Sequence, residues 1–241
     1  MVARVKIILH FGFHKTGTTS LQQFLMKNRN VLTSYATCYF EEDLPQVAAL
    51  ARKYGKIPFF WNRRKYRKEL RKFLLGIEDS QTIVVSCEAL GGIMPGYNTF
   101  PLKRVVSYIP IARKLMEDFY EALQKKFGDT ADVYCLFTTR SSDTWVKSVY
   151  EHICRSKNLN EKFTDFTNSF PQLPNLEHDA ELIASGIPNV TVMVAPLEIY
   201  SKKAFGPATA VLELLNIPES TYKKLKNTEP QNVGKYQKVE N

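Results

Sequence analysis

The feature that most constrains the fold is an apolar strand, a glycine-bounded loop and a helix in succession near the N-terminus. A β-branched run predicts a strand over residues 4–11, and a helical pattern follows over residues 18–28. Gly12 and Gly17 permit the tight backbone path of the loop between them. Because the first N–H groups of a helix lack internal partners and carry the positive end of its dipole, this junction predicts a cradle for a phosphate-like anion.

The residue spacing within the loop indicates which type of phosphate-binding loop the chain has. Nucleotide-hydrolysing P-loops read G-x-x-x-x-G-K-[ST], and Gly12, Gly17 and Thr19 fit this pattern. Thr18, however, stands where the P-loop has its lysine. The lysine of this chain, Lys15, lies inside the loop, where its ammonium would reach a bridging oxygen of a phosphosulfate instead of lying along β- and γ-phosphates. The loop also offers hydroxyl donors, those of Thr16, Thr18 and Thr19.

The run H-K-T-G-T-T-S-L-Q resembles the 5′-phosphosulfate loop of sulfotransferases, which take a sulfuryl group from 3′-phosphoadenosine 5′-phosphosulfate (PAPS). It is most similar to bacterial and carbohydrate-type members. Cytosolic phenol and steroid enzymes have a proline at the position of His14 and a tryptophan at that of Ser20, which argues against a small aromatic acceptor. The resemblance implies that the donor is bound by Lys15, Thr16, Gly17, Thr18 and Thr19.

A second motif lies where a predicted strand over residues 132–138 gives way to a helix over residues 142–156. Arg140 and Ser148 are eight residues apart across this junction. In the sulfotransferase family, an arginine at the strand end and a serine eight residues on bind the 3′-phosphate of the donor. A guanidinium can grip phosphate oxygens with a bidentate fork, and a hydroxyl can donate a further bond. The alternative is a surface arginine and a helix serine that contact no ligand.

A third element is an apolar strand over residues 82–87 that ends at Glu88. Ligands collect at this end of the strands in open parallel sheets. Sulfuryl transfer requires loss of the acceptor proton, so we take Glu88 as the candidate general base and Lys15 as the group that stabilises the leaving nucleotide oxygen. Glycosaminoglycan sulfotransferases, which the chain resembles here, use a glutamate in this role. Two alternatives stay open: a Walker-B-like acid for magnesium and a carboxylate stabilised by a helix dipole.

Length and charge fit one catalytic domain over residues 1–241 with an anionic substrate. The chain is 44% hydrophobic, and its 33 basic against 24 acidic residues give a formal charge of +9. We assign the positive charge to an anionic nucleotide donor and a carbohydrate or small polar acceptor, and expect no nucleic-acid partner.

Basic residues are densest between Arg52 and Lys72, where they alternate with aromatic residues. A helix over residues 64–75 would place the apolar side chains roughly on one face. The pattern is typical of a solvated basic face; the sharper alternative is a groove wall, including Arg63, Arg64 and Lys65, for an anionic acceptor.

The four cysteines and four histidines show no metal-ligand spacing, so we expect no metal site. The sequence contains no run of 18 apolar residues and no leader-like N-terminus, which predicts no transmembrane segment and a cytoplasmic protein. A luminal catalytic domain separated from its anchor would look similar.

The strands alternate with helices, and this alternation predicts an α/β, three-layer P-loop-like fold with a central, mainly parallel sheet of about five strands. Further strands are expected near residues 35–40 and 190–194. Further helices are expected near 44–54, 110–127, 175–185 and 202–215. Residues 91–102 form a Gly/Pro-rich loop, and residues 232–235 lie roughly where the sulfotransferase family has a basic loop over the donor.

Together these features predict a metal-independent sulfotransferase that moves a sulfuryl group from PAPS to a hydroxyl. The rivals are a P-loop kinase, which would need magnesium and a differently placed lysine, and a non-catalytic nucleotide-binding protein.

Overall fold

A computed structural model describes residues 4–78, 80–101, 103–157 and 160–228. Its centre is a five-stranded parallel sheet in the order β2-β3-β1-β6-β7, beside a two-stranded antiparallel hairpin, β4-β5. The strands are β1 (Val5–His10), β2 (Thr37–Phe40), β3 (Thr82–Ser86), β4 (Asn98–Thr99), β5 (Lys103–Arg104), β6 (Ala131–Thr139) and β7 (Val190–Pro196). The α/β class and the central parallel sheet of five strands are therefore confirmed.

Eleven α-helices are assigned within the described residues, and most of them connect the strands. They are α1 (Thr18–Lys27), α2 (Arg29–Leu32), α3 (Pro45–Lys56), α4 (Phe60–Gly76), α5 (Ile109–Phe127), α6 (Ser142–Lys157), α7 (Phe163–Asn168), α8 (Leu176–Ala184), α9 (Leu197–Tyr200), α10 (Thr209–Leu214) and α11 (Glu219–Tyr222). Short 3-10 turns lie over 41–43, 88–91, 128–130 and 206–208. No helix among these residues is both long and apolar enough to cross a bilayer.

Side chains alternate between two cores, one on each face of the sheet. Ile7 and Leu9 of β1 pack with α3, α4, α5 and α8, whereas Ile8 packs with α1 and α10. Because both faces are covered, the central strands are apolar almost throughout, which explains why their sequences read as continuous runs.

The register of the sheet brings three strand ends to one edge. His10, the last residue of β1, pairs with Ser86 at the end of β3 and with Leu136 near the end of β6. The loop after β1, Glu88 after β3 and Arg140 after β6 therefore leave the sheet at the same edge, which is where ligands bind in open parallel sheets.

The predicted elements lie within a few residues of the observed ones, except at the C-terminal side. The prediction of a single helix over 202–215 is wrong. The chain turns between α9 and α10, because Gly206 adopts a left-handed φ of 56° and Pro207 follows it. The loop expected over 91–102 contains β4, and α7 was not predicted. The basic loop expected at 232–235 lies outside the described residues.

Candidate functional site: an anion cradle at the end of β1

The C-terminal half of the loop and the start of α1 leave backbone donors unused within the described part of the protein. Lys15 (φ 68°) and Gly17 (φ 91°) both have left-handed backbones, and Gly17 precedes the first residue of α1 without a capping side chain. Among the hydrogen bonds of the described residues, none is donated by the backbone N–H groups of residues 15–20. Successive free N–H groups around left-handed residues at a helix N-terminus form a concavity suited to an anion.

The threonine hydroxyls of the loop point inward and hold it in shape. Thr16 donates to the carbonyl of Phe13 at 2.5 Å, and its oxygen lies 2.8 Å from the hydroxyl oxygen of Thr138 in β6. Thr18 donates to the same Phe13 carbonyl at 3.2 Å. Both residues are buried, whereas Thr19 is exposed. The structure therefore leaves the backbone N–H groups of Thr16 and Thr18, and the side chain of Thr19, for contact with a ligand.

A buried polar network supports the loop from below. His10 lies 2.8 Å from the Ser86 hydroxyl through Nδ1 and 3.3 Å from the Thr138 hydroxyl through Nε2. Gln22 of α1 donates to the Ser86 carbonyl. Burial lowers the pKa of His10 to about 3, so its imidazole is neutral at physiological pH. Sequence patterns did not single out these residues, because their partners are 64 to 128 positions apart along the chain.

Two buried aromatic side chains fix the other side of the loop. The indole N–H of Trp145 donates to the His14 carbonyl at 2.9 Å, and the His14 N–H donates to the Tyr108 hydroxyl at 3.1 Å. Neither aromatic side chain is more than 1% exposed. Trp145 therefore serves as a support for the loop.

Arg140 lies directly against the cradle. Its guanidinium donates to the Lys15 carbonyl at 3.4 Å through Nη1 and to the Thr144 hydroxyl at 3.1 Å through Nε. Glu198, from α9, accepts a hydrogen bond from the Ser141 N–H at 3.0 Å and so anchors the start of α6 beside it. The two segments that sequence analysis assigned to the two ends of one nucleotide are thus adjacent.

Ser148 lies on α6 one helical turn after Thr144, whose hydroxyl accepts a hydrogen bond from Arg140. It is partly buried and follows Thr144 by four residues, so the two share a helix face. Glu151 and Arg155, further along α6, both influence the pKa of Lys15 electrostatically. This face of α6 therefore runs from the Arg140 contact past Ser148 to two charged residues that the sequence did not single out.

Glu88 faces the cradle from the end of β3, where it begins a 3-10 turn. Its carboxylate lies 3.8 Å from His14 Nε2, and its side chain is 32% exposed. Desolvation raises the pKa of Glu88 to about 7, against the opposing effects of Lys15 and Arg52. A carboxyl group with this pKa can accept and release a proton near neutral pH, which suits a general base or acid.

The surroundings of the cradle also shift the pKa values of Lys15 and His14. Burial, with Arg155 and Arg140 nearby, lowers the pKa of Lys15, while the Glu88 carboxylate raises it. Burial and the neighbouring charges of Arg52 and Lys15 lower the pKa of His14 to about 4, so this ring is neutral beside Glu88 at physiological pH. The ammonium of Lys15 therefore interacts electrostatically with two acids, Glu88 and Glu151, and with two guanidinium groups.

Comparisons with known proteins add little beyond the fold. No protein-family model matches the chain, and no curated protein matches it by sequence. Among solved structures, a protein assigned as a kinase from Chloroflexus aurantiacus J-10-fl has a TM-score of 0.42 at 10% identity, over 94% of this chain and 100% of that one. Shikimate kinase from Bacteroides thetaiotaomicron has a TM-score of 0.42 at 14% identity, over 89% of this chain and 100% of that one. These values carry no statement about activity.

The strand, loop and helix at the N-terminus, together with the parallel sheet, define an α/β protein of the P-loop type with an anion cradle after β1. No group of three potential metal-ligating side chains (His, Cys, Asp, Glu) comes together in the described ranges.

Proposed function

We propose that the chain is a PAPS-dependent sulfotransferase acting on an alcohol of a sugar or another polar acceptor. In the reaction, the acceptor oxygen forms a bond to sulfur while the bond from sulfur to the phosphate oxygen breaks. The products are a sulfate ester and adenosine 3′,5′-bisphosphate. Glu88 takes the acceptor proton, and Lys15 stabilises the negative charge that develops on the departing phosphate oxygen.

The observation that carries this proposal is that Lys15, in a loop of free N–H groups, interacts electrostatically with Glu88 while its backbone carbonyl accepts a hydrogen bond from Arg140. The transfer needs a base for the acceptor proton and a cation for the leaving oxygen in the same place. The site offers both, with the pKa of Glu88 near 7. The N–H groups of residues 15–20 suit the 5′-phosphate, because they donate no hydrogen bond within the described residues and lie at the N-terminus of α1.

The donor's second phosphate is assigned to Arg140 and Ser148. A 3′-phosphate would give the guanidinium of Arg140 a bidentate partner in place of its single long bond to the Lys15 carbonyl. Ser148 would donate one further bond from the same face of α6.

The alternative is a kinase or other nucleotide-phosphate transferase. The backbone cradle would serve a nucleotide triphosphate equally well, and Glu88 would then orient magnesium. Against this alternative, Thr18 occupies the position of the P-loop lysine and is buried against the Phe13 carbonyl. Lys15 would have to contact the β- and γ-phosphates from inside the loop.

Binding of the product nucleotide distinguishes the two functions. We expect adenosine 3′,5′-bisphosphate to bind with equal affinity in magnesium and in EDTA, and at least about tenfold more tightly than adenosine 5′-monophosphate, because only the former engages Arg140. Titration calorimetry on the full chain measures both. Tight binding of ATP only with magnesium, and none of the bisphosphate, would favour the kinase.

The pH dependence of turnover reports the state of Glu88. Only the carboxylate form can accept a proton, so we expect kcat/KM to rise with pH and to level off above an apparent pKa of about 7. An ordinary glutamate, with a pKa of about 4.3, would place this rise more than two pH units lower. Initial rates with labelled PAPS from pH 5 to 9 test the prediction, and a flat profile across pH 6–8 would contradict it.

A further inference from the structure

A cluster of exposed aromatic side chains lies where α4 begins. It consists of Phe59, Phe60, Trp61 and Phe100, whose exposed fractions are 40%, 74%, 47% and 62%. Ring centroids are 4.6 Å apart for Phe59 and Trp61, 5.2 Å for Phe60 and Trp61, and 6.2 Å for Phe59 and Phe100. Contiguous exposed apolar surface of this kind marks an interaction site more often than scattered single residues do.

The basic residues of α4 fall into two stripes with different surroundings. Arg63, Arg67 and Arg71 face α5 and form ion pairs there, the first two with the buried carboxylate of Asp118. Their positive charge is therefore paired with acidic side chains of α5. Arg63, which sequence analysis included in a possible acceptor groove, belongs to this paired stripe.

The second stripe, Arg64, Lys65 and Lys68, faces outward from α4, next to Trp61 along the helix. All three side chains are exposed, and none forms an ion pair with an acidic side chain of the described chain. On the other side of the aromatic cluster, Lys56 and Lys103 are also exposed. The aromatic cluster is thus bordered by unpaired positive charge.

Helix α3 connects the aromatic cluster to the 3-10 turn at Glu88. α3 packs on the 3-10 turn that begins at Glu88, and the N–H of Phe100 donates to the Lys56 carbonyl at 3.1 Å at the end of α3. The cluster is therefore joined to the last residue of the same helix that packs on the turn at Glu88.

We propose that this face of the protein, the aromatic cluster with its basic border, docks on an anionic lipid bilayer. Aromatic side chains favour the headgroup region of a bilayer, and lysine and arginine beside them are attracted to anionic lipids. Phe60 and Phe100, the most exposed members, carry no polar group that could bond to a hydroxyl-rich chain. A second copy of the same face would meet the first with like charges. This inference is independent of the proposed function.

Co-sedimentation of the full chain with vesicles tests the proposal. We expect binding to phosphatidylcholine vesicles containing about 30% phosphatidylserine, little binding to phosphatidylcholine alone, and weaker binding as salt rises. The variant Arg64→Glu/Lys65→Glu/Lys68→Glu should lose about 100-fold in affinity, as three surface charges would give. Phe60→Ser/Trp61→Ser should lose at least about tenfold. The control Lys202→Glu/Lys223→Glu/Lys224→Glu, with the same change of charge on exposed positions elsewhere, should bind nearly as tightly as the wild type.

Thermal unfolding should be similar for all variants, because the altered side chains are exposed; if the glutamate triple unfolds early, Arg64→Gln/Lys65→Gln/Lys68→Gln replaces it. Equal binding of wild type and both patch variants would overturn the proposal. So would absent vesicle binding, and in that case loss of heparin retention in the triple variant would assign the surface to an anionic polysaccharide instead.

Discussion

Glu88→Gln is expected to abolish sulfuryl transfer while leaving nucleotide binding intact. The amide has nearly the same shape as the carboxylate but cannot accept the acceptor's proton. We expect kcat to fall by about 10²–10⁴-fold, the usual contribution of a positioned base. Affinity for adenosine 3′,5′-bisphosphate should stay equal or rise slightly, because the substitution removes a negative charge that acts on Lys15. Turnover of labelled PAPS and calorimetry on the same preparation measure the two quantities.

The matched control is Glu177→Gln, which makes the same chemical change at an exposed position in the first turn of α8. It should retain wild-type turnover. A near-normal rate for Glu88→Gln would remove Glu88 from the mechanism. If the variant instead lost nucleotide binding only in the presence of magnesium, the carboxylate would be a magnesium ligand, and the kinase alternative would gain.

The cradle itself could be predicted from the sequence because its signals are local. The strand before Gly12, the two glycines and the helix after Gly17 lie within 25 residues, and each reflects a backbone preference of its own segment. The alternation of strands and helices likewise predicted the parallel sheet. The turn at Gly206 and Pro207 was missed although a Gly-Pro pair is itself a turn signal in the sequence, because the prediction gave more weight to the helical pattern after it.

The supports of the cradle could not be predicted, because they depend on contacts between distant parts of the chain. Thr16 looked like a hydroxyl donor for phosphate, yet its oxygen lies against Thr138, which is 122 residues away. Trp145 and Tyr108 hold the loop backbone at His14 from α6 and from the residue that precedes α5. In a sequence, a tryptophan or tyrosine fits a buried core position and a ligand-stacking position equally well, and only the fold shows which of the two roles it has.

The raised pKa of Glu88 is also a property of the fold. Nothing in the run before Glu88 distinguishes a desolvated carboxyl from a solvated one. The shift arises because the 3-10 turn places the side chain among packed loops, and desolvation then outweighs the attraction of Lys15 and Arg52. Sequence analysis chose Glu88 by its place at a strand end, and the raised pKa, which comes from burial in the fold, could not be predicted from the sequence.

Lys15→Met should reduce turnover more than it reduces nucleotide binding. Methionine keeps the length of the side chain and, like lysine, carries a Cβ, so the left-handed backbone at residue 15 experiences no new strain. The free N–H groups of residues 15–20 would still bind the 5′-phosphate. What disappears is the cation that meets charge developing on the leaving oxygen, and loss of one such group costs about 10²–10³ in kcat. We therefore expect kcat to fall by that factor and the affinity for adenosine 3′,5′-bisphosphate to fall by no more than about tenfold.

Lys15→Arg keeps the positive charge but spreads it over a planar group, so this variant should recover part of the rate lost in Lys15→Met. The control is Lys223→Met, which makes the same change at an exposed position after α11 and should behave as the wild type. Rapid-quench single-turnover experiments with labelled PAPS measure the rate of sulfuryl transfer separately from nucleotide binding. A loss of affinity with kcat unchanged for Lys15→Met would mean that the ammonium holds the nucleotide equally in the ground state and the transition state and so does not favour the transition state. We expect the larger loss to be in kcat, because Arg140 and Arg155 also lie close enough to Lys15 to affect its pKa and would supply positive charge for donor binding, whereas only Lys15 of the three lies inside the loop between the two glycines.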